Sequence, residues 1–140
     1  MQYKRIMCLD YGDVRIGIAF SDLLQTIASP YDTYTRRELN QDIQFFKELA
    51  IKQEVERVII GLPYNMDGTV GERIEVTKKF GELLSIELGL PIEYVDERLS
   101  SVEAEDILAE AKVPAIKRKG LIDKIAASII LQSYLNSKKY

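Results

Sequence analysis

The sequence predicts an α/β fold: a mixed β-sheet flanked by helices on both faces. Three observations carry this. Three extended segments come first with no helix between them, so they must pair as neighbours. From residue 37 onward, helical and extended patterns alternate to the end of the chain, the rhythm of parallel strands joined by helical crossovers. The later strand "RVIIGLP" is an unbroken apolar run ended by Gly and Pro, as expected of a strand covered on both sides. The chain of 140 residues suits one domain, 1–140, built on one core.

The elements follow in order. "MCLDYG" and "RIGIAFSD" read as two strands around the turn Gly12-Asp13-Val14. Residues 26–34 form a third extended segment, and Pro30 places it at an edge, because proline cannot donate to a ladder. From Arg37 to Gln53, Leu39, Ile43, Phe46 and Ala50 recur at helical spacing. A buried strand over 57–63 follows, then a helix over 72–88 that Gly89 ends. "PIEYVDE" (91–97) is the next strand. A helix over 100–111 opens with Ser100-x-x-Glu103, the spacing of a capping box. A last helix covers 122–135. The order β-β-β-α-β-α-β-α is that of an RNase H-like domain.

Composition removes several functions. The formal net charge is −3, so a nucleic-acid partner must be held by local clusters of Lys and Arg rather than by bulk charge. Histidine is absent, which excludes Ser-His and Cys-His catalysis and any histidine metal centre. The one cysteine, Cys8, lies in the apolar first strand and reads as a small hydrophobe rather than half of a disulfide. The N-terminus lacks the apolar core of a signal peptide. No apolar run approaches the ~20 residues that span a bilayer. A cytoplasmic, non-membrane setting is expected.

Four stretches carry candidate chemistry. In "LDYGDVRIGIAFSD", Asp10 continues the apolar face of Ile6 and Cys8, where an unpaired carboxylate costs several kcal/mol, about 2–7 for a polar group and more for a charge. Gly17 and Ala19 leave room beside it. In "GLPYNMDG", at a C-terminal strand end, Asn65 and Gly68 precede the helix start that holds Arg73, an arrangement suited to phosphate. In "YVDERLSS", two acids end a strand, and only one can share a face with Asp10. Glu97 has the longer reach and Asp96 is the alternative; Arg98 follows. In "KRKGLIDKIAASIILQSYL", Asp123 falls in the first turn of an apolar helix, beside Ala126, Ala127 and Ile130. Lys117, Arg118 and Lys119 form a basic run ahead of that helix, placed to hold backbone phosphates. A dipole-stabilised helix-start acid and a solvated basic loop are the ordinary readings of this stretch.

If Asp10, Glu97 and Asp123 converge, each like-charge pair at ~4 Å costs roughly 4 kcal/mol at an effective dielectric near 20. A hard divalent cation removes that penalty. All-oxygen ligation favours Mg²⁺ or Mn²⁺, and such a centre suits phosphodiester hydrolysis.

Together "LDYGDVRIGIAFSD", "GLPYNMDG", "DERLSS" and "DKIAASIILQSYL" resemble the four signature segments of the bacterial YqgF family, described as Holliday-junction-resolvase-like and as a nuclease of precursor 16S rRNA. The resemblance runs from near residue 5 to near residue 136. It implies an RNase H-like fold and a metal-dependent nuclease site with acids at Asp10, Glu97 and Asp123. It also implies a role in trimming the 5′ end of precursor small-subunit rRNA, with ribosomal particles as associated partners. Two departures stand out. The family often carries a hydroxyl and a basic residue after "DYG", where this chain has Asp13-Val14 followed by Arg15 as the remaining phosphate contact. RuvC-type resolvases use a fourth carboxylate where this chain has "GLPYNMDG", which weakens the alternative of a resolvase acting on branched DNA. A non-catalytic module could instead bind structured RNA through Arg15, Arg73, Arg98 and Lys117–Lys119. An actin-like ATPase also opens with an Asp-x-Gly hairpin but clamps nucleotide between two such domains, and this chain supplies one.

Overall fold

The computed structural model describes residues 4–63, 71–97 and 100–138, and the side chains of these except Ser100, Ser101 and Lys119. Chain order is β1 (Arg5–Tyr11), β2 (Arg15–Ser21), β3 (Ala28–Thr35), α1 (Leu39–Lys52), β4 (Val55–Leu62), α2 (Glu72–Leu88), β5 (Ile92–Asp96), α3 (Ser100–Glu110) and α4 (Ala115–Ser137). The strands lie in the order β3-β2-β1-β4-β5. Short turns make β1–β2 and β2–β3 antiparallel, and helical crossovers make β1–β4 and β4–β5 parallel. β3 is an edge strand, as Pro30 requires, and Pro30 falls where the β2–β3 register shifts.

Alternation along the strands produces two packed faces. Met7, Leu9, Tyr11, Ile16, Ile18, Val58 and Ile60 meet Ile43 and Phe46 of α1 and Phe80 and Leu84 of α2. On the other face Ile6, Cys8, Ala19 and Ile59 meet Ala127, Ile130, Leu131, Tyr134 and Leu135 of α4. That second face carries small residues, and α4 lies close upon it. A Cβ on Gly17 would fall 2.0 Å from the carbonyl oxygen of Asp123, so glycine is required for α4 to rest directly on β2. α3 packs against α4. Among the described residues no helix is long and apolar enough to cross a membrane.

Most elements match their expected bounds, including α2 and its end at Gly89, whose φ of 66° is left-handed and whose N–H donates to the Ser85 carbonyl. The last helix departs from expectation. It begins at Ala115, not at residue 122, with Pro114 in an extended conformation just ahead of it (φ −58°, ψ 141°). Gly120 and the basic run Lys117–Lys119 belong to its opening turns instead of a preceding loop. Asp123 is therefore inside the helix, beyond reach of the N-terminal dipole that would have explained a carboxylate there.

Candidate active site

Asp10 ends the α4-facing row of β1. Across the antiparallel ladder its partner is Gly17. On the other side Leu9 pairs with Ile60, so Gly61 is the next residue of β4 beside Asp10. Both flanking strands thus offer no side chain next to this carboxylate. The gap at Gly61 is filled from the next strand over: a Cβ built there would lie 2.9 Å from Glu97 Oε2 and 2.9 Å from Ile130 Cδ1. Glu97 follows β5 directly, held by its N–H donating to the Leu62 carbonyl at 3.1 Å. From that anchor its side chain crosses over Gly61 and hydrogen-bonds Asp10. Asp96 is on the alternate side of β5 and exposed, so of the two adjacent acids it is Glu97 that meets Asp10.

Two carboxyls in contact, largely cut off from water, do not both ionise easily. Burial pushes Asp10 above the usual carboxylate range, the bond from Glu97 partly offsets this, and the nearby Asp123 pushes it further up. Burial together with the bond to Asp10 and its charge pushes Glu97 up to about 10. Contact and burial thus favour one shared proton over full ionisation of both acids. The same burial, with the fields of Asp10 and Glu97, pushes the Cys8 thiol well up, which leaves it unreactive.

Asp123 is close enough to act on Asp10 electrostatically, but its Oδ2 accepts a hydrogen bond from Arg15 Nε at 2.8 Å. Arg73, in the first turn of α2, pairs through Nη1 with Asp13 Oδ2 at 2.6 Å and donates through Nη2 to the Tyr11 carbonyl at 3.3 Å. Its charge draws both Asp10 and Glu97 downward. Arg15 and Arg73 thus flank the acids. Arg118 is directed elsewhere: its Nε donates to the Val113 carbonyl at 2.8 Å, and it faces Glu105 of α3 at 3.9 Å. Lys117 is exposed near the start of α4. Asn65, Gly68 and Arg98 lie outside the described residues, as does the Lys119 side chain.

One part of the site went unread in the sequence. Arg36 Nη1 donates to the carbonyls of Gly12 and Asp13, each at 3.0 Å, and its guanidinium lies 4.6 Å from the centre of the Tyr11 ring. Arg36 is backed by the fully buried Asp42, 3.7 Å from its Nε. Asp42 Oδ1 also accepts from the Tyr34 hydroxyl at 2.7 Å and the Arg37 N–H at 2.8 Å. The turn that follows Asp10 is therefore gripped from two sides, by Arg36 on its carbonyls and by Arg73 on Asp13. The available signal was Asp42 itself, a carboxylate at helical spacing from Phe46 on the apolar side of α1.

The donor set suits a hard divalent cation. It is all oxygen, and a divalent cation would relieve the repulsion between the touching Asp10 and Glu97 carboxyls. The third acid is engaged with Arg15, and among the described residues no three acids are grouped closely enough to hold one ion.

A mixed sheet in this order, with helices on both faces, is an RNase H-type fold. Over 97% of this chain and 96% of the other, it is similar to Thermus thermophilus RuvC solved with a Holliday junction substrate, at a TM-score of 0.61 and 11% identity. It is also similar to the Fowlpox virus resolvase solved with Holliday junction DNA, at a TM-score of 0.58 and 13% identity, covering 97% and 99% of the two chains. Within that fold the chain belongs to the RuvX family, described as "Holliday junction resolvase", whose sequence profile matches residues 4–137. A relative from Halothermothrix orenii is 52% identical over 132 residues, 94% of each chain. One from Heliobacterium modesticaldum is 44% identical over 136 residues, 97% of this chain and 91% of its own. Both bear the name "Putative pre-16S rRNA nuclease".

Proposed function

We propose that this chain is a metal-dependent nuclease that hydrolyses phosphodiester bonds in the cytoplasm, trimming the 5′ end of precursor 16S rRNA on its way into ribosomal particles. The observation that carries the chemistry is the contact between the half-buried Asp10 and Glu97 across Gly61, flanked by Arg15 and Arg73. Asp10, Glu97 and Asp123 would hold Mg²⁺ or Mn²⁺, which supplies an activated water and charge stabilisation at the leaving oxygen. The chain's own residues do the rest. Arg15 and Arg73 attract and orient the phosphate. The turn gripped by Arg36 keeps Asp10 in register, and α4 closes one side of the acids. The names borne by relatives up to 52% identical support RNA as substrate.

A second reading, resolution of branched DNA, is favoured by the family's description. Purified protein with Mg²⁺ or Mn²⁺ is offered a precursor 16S rRNA fragment with its 5′ extension and, separately, a four-way DNA junction. Asp10→Asn serves as control. Metal-dependent RNA cleavage, lost in the variant, supports the proposal. Symmetric cleavage of the junction alone transfers it to the resolvase reading. Tight RNA binding by both proteins without cleavage of either substrate leaves a binding module and removes the catalytic assignment.

A further inference from the structure

The Arg15 guanidinium suits either of two ligands of similar shape, a carboxylate or a phosphodiester. Its Nε holds Asp123 Oδ2 at 2.8 Å, with the side chains 29% and 24% exposed, so an incoming anion can reach the pair. A phosphodiester presents the same paired oxygens as a carboxylate, and a guanidinium binds either one through parallel N–H bonds. The backbone beneath Asp123 is pinned, because α4 rests on Gly17 with no room for a Cβ. Only the Asp123 side chain is then free to change partners. Meanwhile Asp10 and Glu97 are already in contact, and among the described residues no third acid joins them closely enough to hold a cation. Arg73 is the instructive contrast, for its partner Asp13 is 79% exposed and is not among the three acids.

We infer that Arg15 couples substrate binding to assembly of the metal site: it holds Asp123 away from the Asp10–Glu97 pair until a nucleic-acid phosphate takes its guanidinium and frees Asp123 to complete the ligand set. The inference rests on the nuclease reading and goes beyond it, because it makes phosphate and divalent cation mutually cooperative. By linkage the effect must be reciprocal. Removing Arg15 strengthens cation binding without substrate. Removing the Asp123 charge strengthens phosphate binding without cation.

The test measures binding, not turnover. Mn²⁺ binding to the intact chain is followed by electron paramagnetic resonance for the wild type, Arg15→Gln, Arg73→Gln and Asp10→Asn, each first shown by urea unfolding to be folded. Arg15→Gln is expected to bind Mn²⁺ about tenfold more tightly, and Arg73→Gln to tighten it less, since Arg73 acts on Asp10 and Glu97 through its charge and holds none of the three acids. In the second arm, with EDTA present, Asp123→Asn is expected to bind an RNA duplex of about 20 base pairs more tightly than the wild type. That gain should vanish in the double variant Arg15→Gln/Asp123→Asn. Equal tightening by Arg15→Gln and Arg73→Gln would reduce the effect to net charge and overturn the inference. So would unchanged duplex affinity in Asp123→Asn. Failure of the underlying reading looks different: Mn²⁺ then binds none of the proteins, or binds Asp10→Asn as well as it binds the wild type. The comparison of Asp123→Asn with the wild type in the duplex arm does not depend on whether Arg15→Gln folds.

Discussion

Asp42 shows how much a single residue far from the chemistry can hold in place. It is fully buried, and it accepts from Tyr34 and the Arg37 backbone while its second oxygen faces Arg36. Arg36 in turn fixes the carbonyls of Gly12 and Asp13. Replacing Asp42 by alanine leaves a partly buried hydroxyl and a partly buried guanidinium without their counterpart, and breaking one side of a buried pair typically costs about 3–5 kcal/mol. Asp42→Ala should therefore lower the unfolding free energy measured in urea by an amount in that range, whereas Asp42→Asn, which still accepts from Tyr34 and Arg37, should lose clearly less. Equal losses in the two variants would mean that shape rather than hydrogen bonding holds Asp42. The difference in legibility between Asp42 and Asp10 is physical. Asp10 interrupts an apolar strand face and so announces itself, whereas an acid in the first turn of a helix has an ordinary explanation in the helix dipole and draws no notice.

Among the elements, α4 was the hardest to read and is the most consequential. Lys-Arg-Lys-Gly looks like a loop because glycine and clustered like charges usually interrupt a helix. Here the start is marked by Pro114, and Gly120 is carried inside the helix. A Cβ at Gly120 would meet nothing within 4 Å. Gly120→Ala should therefore stabilise the chain by about 0.5–1 kcal/mol, read as a rise in melting temperature. A drop would show that this stretch is not helical. Gly17 is the opposite case. Its Cβ would strike the Asp123 carbonyl, a backbone atom that cannot swing aside. Gly17→Ala should cost at least the ~1–3 kcal/mol typical of overpacking and should abolish cleavage, since α4 can accommodate the methyl only by carrying Asp123 off β2. Gly61→Ala meets mainly the ends of Glu97 and Ile130. It should cost less stability than Gly17→Ala while still impairing activity through Glu97.

At the scale of the whole molecule, strand order turns separate motifs into one site. Alternation along single strands was enough to choose Asp10, and reach favoured Glu97 over Asp96. That these two touch depends on β1, β4 and β5 lying side by side in the order β1-β4-β5 and on β4 having a glycine at the crossing, a relation between strands far apart in sequence. The resulting contact has a consequence for the stability of the entire fold. Glu97 is held up to about 10 against an ordinary 4.5, and Asp10 is raised as well. Between those two values the folded chain binds more protons than the unfolded one, so stability must fall as pH rises, by up to ~1.4 kcal/mol per unit for one proton. The contribution is fully present below about 4.5 and is lost as pH passes up through about 10. Urea unfolding in EDTA at about pH 6, 7.5 and 9 should show this decline, and Glu97→Gln should flatten it. Because a bound divalent cation takes over the proton's role between the carboxylates, Mg²⁺ should stabilise the wild type more at the alkaline end than at the acidic end. Parallel pH profiles for the wild type and Glu97→Gln would show that the pair does not hold its proton in the folded chain.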